Sequence, residues 1–216
     1  MNKEIAFDNL AKEITHGIYV SNLAYLIGEE LGLEEPILHE LAVAGLLHDI
    51  GKLKLTSYLD SEDDNNKSAV RQMRYVRLHS QHSYEILKER GYSDFVIDAV
   101  HFHHENYDGT GYPMNLSEDS IPLGARILRV CDVFVALTSD RTYRKAFDVK
   151  QTIELMIDEI RHFDMKIFLA FQRVLSRIDV DEDIKKNMTI EFTGNITEIA
   201  SELSGNIDNM DEITEE

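Results

Sequence analysis

Apolar residues return at three- and four-residue steps along most of this chain, a period that predicts helices. Between residues 4 and 31, Ile14, Ile18, Leu23, Leu26, Ile27 and Leu31 mark the apolar positions of the first, which stops near Gly32. Pro36 is placed to open the second, because a proline in a first turn forfeits no helical hydrogen bond. That helix runs through ILHELAVAGLLHDI and ends at Gly51. A third spans about Ala69 to Arg90 and is closed by Gly91, and a fourth covers Asp94 to His104. Pro122 precedes a helix continuing through Leu137, and two more fit residues 149–161 and 164–177. LKLTSYLDSEDDNNKS is polar and turn-rich, so it reads as a loop. NYDGTGYPMNLSEDSIP reads as a long ordered loop whose turns are set by Gly109, Gly111 and Pro113. In the tail, MTIEFTGNITEI fits a small hairpin or a frayed extension. The expected fold is all-α, with one domain over residues 1–177 and an acidic extension over 178–216.

Composition narrows the setting. A chain of 216 residues with 43% hydrophobic content can bury a core of its own. No apolar run approaches the roughly 20 residues of a membrane span, and the acidic, periodic N-terminus is unlike a signal peptide. The single cysteine, Cys131, rules out an internal disulfide framework and fits a cytoplasmic location. The formal charge of −18 disfavours nucleic-acid polymers and anionic membranes as partners. Residues 178–216 hold twelve acids and two lysines, a net of −10, which leaves −8 for residues 1–177. A small anionic ligand stays compatible wherever a cation cluster or a metal dominates the local field.

Several polar residues sit where an apolar pattern makes them conspicuous. His48 and Asp49 end an apolar helix and are followed at once by Gly51 and Lys52. His103 and His104 end another, at the mouth of the glycine-rich loop. Asp132 lies inside the apolar stretch RILRVCDVFVAL. Buried charges need partners, and imidazole with carboxylate suits first-row divalent ions such as iron, manganese, nickel or zinc. The lack of paired cysteines argues against a structural zinc site. Taken singly, each residue has a plainer reading. A lone helical histidine such as His16 or His79 is ordinarily a surface or hydrogen-bonded residue, and Asp132 could pair with Arg126 or Arg129.

Their order along the chain carries more than any one of them. LLHDIGK, HSQHSYEIL, HHENYDGTGYP and IPLGARILRVCDVFVALTSDRTYRKAF together resemble the HD-GYP family of HD-superfamily phosphohydrolases. The resemblance runs from about His16 to Leu175, where HFDMKIFLAFQRVL is similar to the family's closing helix. It implies an all-α helical bundle with an ordered GYP loop and a binuclear or trinuclear metal centre. The implied activity is metal-dependent hydrolysis of cyclic di-GMP to linear pGpG; a second cut, to GMP, is expected to be slower. The implied metal ligands are His16, His48, Asp49, His79, His103, His104 and Asp132, with Asp49 bridging two ions about 3.5–4 Å apart that share a hydroxide. Iron or manganese is expected, with zinc, nickel and magnesium as alternatives. Lys52, with Asp49, is assigned to catalysis; Lys52, Arg141 and Arg144 are matched to phosphate contacts. The two arginines would share one side if RTYR is helical. Tyr112 either contacts the ligand or packs the loop. His39, His82, His101 and His162 fall beside the motif positions and are read as structural.

The chain also departs from the family pattern. Lys12 stands one turn before His16, where trinuclear members carry a glutamate, which favours two metals over three. Lys12 itself is expected at the rim or in solvent. Glu13, rotated about 100° from Lys12, is expected to point elsewhere. The loop after Lys52 differs, Val135 replaces an aspartate, Thr142 a proline, and Asn115 a glycine. Rival readings are a phosphohydrolase of another cyclic dinucleotide or a nucleotide, and a regulator that binds metal and ligand without turnover. The expected partner is a cyclic dinucleotide; a homodimer or a signalling partner protein is left open.

Overall fold

The computed structural model describes residues 3–53, 69–141 and 144–180, and within them it contains seven α-helices and no strand. They are α1 (Lys3–Glu30), α2 (Glu35–Leu47), α3 (Ala69–Glu89), α4 (Asp94–His101), α5 (Leu123–Leu137), α6 (Val149–Asp158) and α7 (Met165–Leu175). Short 3-10 turns occupy Glu118–Ser120 and Ile160–His162. The expected all-α class is observed. The predicted loop after Leu53, Thr142 and the tail beyond residue 180 lie outside the described residues. Among the described residues, no helix is long and apolar enough to cross a membrane.

The helix boundaries follow local chemistry. Gly32 and Gly91, with φ of 72° and 74°, adopt the left-handed conformation that ends α1 and α3. Ser93 caps α4 by accepting from the Val96 amide, and Asp148 forms a capping box with Gln151 at the start of α6. Asp164 accepts from the Lys166 and Ile167 amides at the start of α7.

α1 and α2 cross closely because glycines stand at the contact. A Cβ on Gly17 would lie 2.5 Å from the Leu46 carbonyl oxygen, and one on Gly45 2.7 Å from Ser21 Cα. α5 packs against α1, α4, α6 and α7 and buries Leu128, Cys131, Phe134 and Val135. Phe134 meets Phe171 of α7 edge-on at 5.1 Å between centroids. Val135 is thus a core residue, 2% exposed. Each such side chain removed from water contributes roughly 1.5–3 kcal/mol, so α5 is anchored along its apolar face while its other positions are free to carry polar groups.

Two helices stop earlier than their apolar patterns predict, and for the same reason. α2 ends at Leu47 rather than Gly51, and α4 at His101 rather than His104. In each case a histidine just beyond the end folds back: Nδ1 of His48 donates to the Gly45 carbonyl at 2.7 Å, and Nδ1 of His103 to that of Val100 at 2.6 Å. These side chains satisfy carbonyls that a continuing helix would have used. The segment 149–161 similarly divides into α6 and a 3-10 turn, and α7 closes at Leu175.

Candidate metal centre

The polar residues singled out by sequence converge from five places in the fold. His16 comes from α1, His48 and Asp49 from the turn after α2, His79 from α3, His103 and His104 from the turn after α4, and Asp132 from α5. Gly51 allows the turn after α2 to lie directly on α3: a Cβ there would sit 2.1 Å from the His79 carbonyl oxygen. Ser83 ties the two together, accepting from the Gly51 amide at 2.8 Å and donating to the His48 carbonyl at 2.9 Å.

The side chains form two groups. His16, His48 and Asp49 make one, and His79, His103 and His104 the other; within each group the potential ligand atoms lie within 4.8 Å of one another. Asp132 completes the first, with Oδ1 3.0 Å from Nε2 of His16 and 3.8 Å from Nε2 of His48. Asp49 stands between the groups. Its Oδ2 is 3.2 Å from Nε2 of His48, and its Oδ1 is 3.2 Å from Nε2 of His79. In the second group, Nε2 of His79 is 3.0 Å from that of His104 and 3.4 Å from that of His103.

This arrangement fits divalent cations. Because Nδ1 of His48 and of His103 donates to a backbone carbonyl, Nε2 of each is the nitrogen that faces the centre, the orientation of a ligating histidine. Nε2 of His48 is buried, 3.2 Å from Asp49 Oδ2 but without a well-aligned hydrogen bond, a position a cation can take in exchange for the proton. The three imidazole Nε2 atoms of His79, His103 and His104 converge in the same way, the geometry in which neutral imidazoles can ligate one cation.

The electrostatics of the two groups differ. Burial opposes a charged His48, but Asp49 and Asp132 outweigh it and push its pKa up to about 10. Burial also opposes charge on Asp49 and Asp132, yet His48 beside the first, and His16 and His48 beside the second, hold both carboxyls well below their ordinary range. In the other group, burial pulls His104 down to about 3, and burial with neighbouring imidazoles lowers His103 well below its usual value.

At the rim, Nζ of Lys52 lies 2.6 Å from Asp49 Oδ2 and 3.0 Å from Glu13 Oε2. Glu13 therefore turns toward the centre, contrary to the sequence expectation: three residues before His16, it lies about 60° from it on the helix and shares its face. Lys12 is exposed. Tyr112 stacks on His104 at 4.7 Å between centroids and carries the Arg77 guanidinium 5.1 Å above its own ring, so it packs the loop and lines the centre at once. Asn115 adopts φ of 56°, the conformation usually left to glycine. Glu105, buried next to the histidine pair, secures this loop by accepting from the Met114 and Leu116 amides at 2.6 and 3.1 Å. Nothing in sequence distinguishes such a carboxylate from a surface one.

Arg141 and Arg144 are not on a helix. They form an isolated antiparallel bridge, with Arg141 N–H to Arg144 O at 2.8 Å. The Arg144 guanidinium donates to the carbonyls of Ala136, Leu137 and Lys145 at 2.7–3.1 Å and lies over the Phe147 ring. It caps the end of α5, a role that the match to a phosphate contact did not include. Asp132 pairs with neither nearby arginine: Arg126 engages Asp119 and Asp164, and Arg129 engages Asn106. His39, His82, His101 and His162 lie outside the centre, against Glu35, Glu85, Gln81 and Glu159 respectively.

A family profile described as HD domain matches residues 1–167. The chain is 37% identical over 161 residues to a cyclic di-GMP phosphodiesterase of Pseudomonas aeruginosa, covering 74% of this chain and 38% of that protein. It is 30% identical over 162 residues to the 3'3'-cGAMP-specific phosphodiesterase 3 of Vibrio cholerae, covering 74% and 35%. Among solved structures, a cyclic GMP-AMP specific phosphodiesterase of V. cholerae shares its fold with a TM-score of 0.60 at 20% identity, over 80% of this chain and 46% of that one. The chain thus spans well under half the length of these curated relatives.

Proposed function

Since the chain belongs to the HD-domain family, in its HD-GYP branch, we propose that it is a metal-dependent phosphodiesterase that opens cyclic di-GMP to linear pGpG. The observation carrying this reading is Asp49, whose two carboxylate oxygens face different histidine groups. That is the placement a carboxylate shared by two cations requires. His16, His48 and Asp132 would hold one ion and His79, His103 and His104 the other, with iron or manganese the best match to imidazole and carboxylate donors. Bound there, such ions would activate water at neutral pH and offset charge on the phosphate oxygens.

The chain's own groups supply the rest. Lys52, held by Asp49 and Glu13, is a fixed ammonium at the edge of the centre, placed to meet a phosphate oxygen. Arg141 is the second phosphate-facing cation, and Tyr112 offers a ring beside His104. The exposed Lys12 supports two ions rather than three, so the second cut, to GMP, is slower. Residues 1–177 form the catalytic unit and 178–216 an acidic extension, in a cytoplasmic protein. The 3'3'-cGAMP specificity of one relative keeps a mixed cyclic dinucleotide as the second reading. Turnover of labelled cyclic di-GMP and 3'3'-cGAMP by protein reconstituted anaerobically with iron or manganese separates the two. Cyclic di-GMP is expected to be cut faster; no turnover of either by the metal-loaded protein contradicts the proposal.

A further inference from the structure

Arg126 and Arg129 lie one turn apart on α5, and their surroundings differ. Arg126 meets Asp164 at 2.7 Å and Asp119 at 2.8 Å. Arg129, one turn before Asp132 on the side of the centre, has a neutral partner: Nε donates to the Asn106 side-chain oxygen at 3.0 Å. Among the described residues, no carboxylate lies within ion-pair distance of Arg129. Asp132 directs its Oδ1 at His16 instead. A guanidinium stays charged at any ordinary pH; Asp132 favours that charge from a distance, but a largely enclosed guanidinium with no contact ion pair is costly. Its bond to Asn106, two residues after His104, and its place one turn before Asp132 set it beside the centre, where its charge acts on His104 and on Tyr112.

Asn106 is set to hold it. The Asn106 amide nitrogen donates to the Thr110 hydroxyl at 3.0 Å, and that hydroxyl donates to Asp108 at 2.6 Å. The direction of this chain leaves the amide oxygen for Arg129. Asn106 is itself 9% exposed, so the orientation is protected from water. With Nε occupied, the guanidinium retains its terminal N–H groups, the pair suited to two oxygens of one anion.

We infer that Arg129, oriented by Asn106, is a phosphate-binding residue of the metal centre, contacting a non-bridging oxygen of the phosphate under attack. The inference rests on the phosphodiesterase reading above. It assigns to Arg129 the contact that Arg144, spent on capping α5, does not make. Asn106 is a positioning residue.

The test uses the metal-loaded full chain with inorganic phosphate and bis(p-nitrophenyl) phosphate, probes that contain no nucleobase. Arg129→Ala is expected to weaken inorganic phosphate binding and lower kcat/KM for the diester by roughly tenfold to a hundredfold, the loss of one charge-assisted hydrogen bond, at unchanged metal content. Arg129→Lys should retain part of the activity. Asn106→Asp keeps an acceptor for the guanidinium but neutralises it and loses the donor to Thr110, so KM should rise well beyond that of Thr110→Val, which breaks only the loop contact and leaves the amide oxygen on Arg129. Wild-type phosphate affinity and diester kinetics in a metal-replete Arg129→Ala overturn the inference. If that variant does not fold, wild-type KM in Asn106→Asp does so. Failure of the wild type on cyclic di-GMP alone, with phosphate binding intact, contradicts the substrate reading and leaves Arg129 tested by phosphate.

Discussion

The two halves of the centre use the same side chain in opposite electrical states. On the α1–α5 side, His48 lies among carboxylates and its pKa rises to about 10. On the α3–α4 side, burial pulls His104 down to about 3, and Asp132 does not offset it against the imidazole and guanidinium nearby. Burial is common to both and opposes charge in both; the neighbours decide the outcome. One half holds a proton that an incoming cation must expel, and the other presents neutral nitrogens with no proton to lose. Asp49 belongs to both, and for that reason it is the most consequential single residue.

The largest effect is therefore expected at Asp49. Asp49→Ala should abolish binding of both ions and lower turnover by at least about a thousandfold, as loss of metal assistance implies; metal analysis alongside kinetics checks this, and retention of one tightly held ion would break the bridging role. His79→Ala should act on one half only, reducing the metal content of the α3–α4 side with less effect on the other. Equal loss from both halves would merge them into one site.

The halves should also differ with pH. His48, raised to about 10, is protonated in the metal-free protein at neutrality, and that proton leaves when a cation binds. Apparent affinity on its side should then rise about tenfold per pH unit between pH 6 and 8. His103 and His104, both lowered, are already neutral there and contribute no such slope. Stepwise titration with manganese at three pH values, monitored by calorimetry, would resolve one steep and one flat step; two flat steps would remove the distinction.

The smallest effects separate the arginines after α5. Arg141→Ala should lower kcat/KM by roughly tenfold to a hundredfold without changing stability. Arg144→Ala should instead cost about 1–3 kcal/mol of stability, because it leaves the Ala136 and Leu137 carbonyls without their donor. A metal-replete Arg144→Ala with normal melting but impaired KM would restore its place at the phosphate.

How much of this was legible follows from what sequence patterns encode. The helices were readable from apolar period and from Gly32, Gly91 and Pro36, because those signals are local. The residues of the centre were readable from the order of their motifs; no single histidine among them carried the signal. Helix ends at His48 and His103 were not, since they depend on a side chain returning to a carbonyl. The capping role of Arg144 was not legible because its partners are backbone oxygens, which any sequence supplies. Glu13 was misplaced by comparing it with Lys12 rather than with His16, whose face it shares. Arg129 was weighed only as a partner for Asp132, and its real partner, Asn106, lies in a loop that sequence does not bring beside α5.

The most direct test of the account is the number of divalent ions bound per chain after anaerobic purification and reconstitution with iron or manganese. Two ions are predicted, one for each half, falling to none in Asp49→Ala. A wild-type protein that binds no ion, or three at full occupancy, contradicts it.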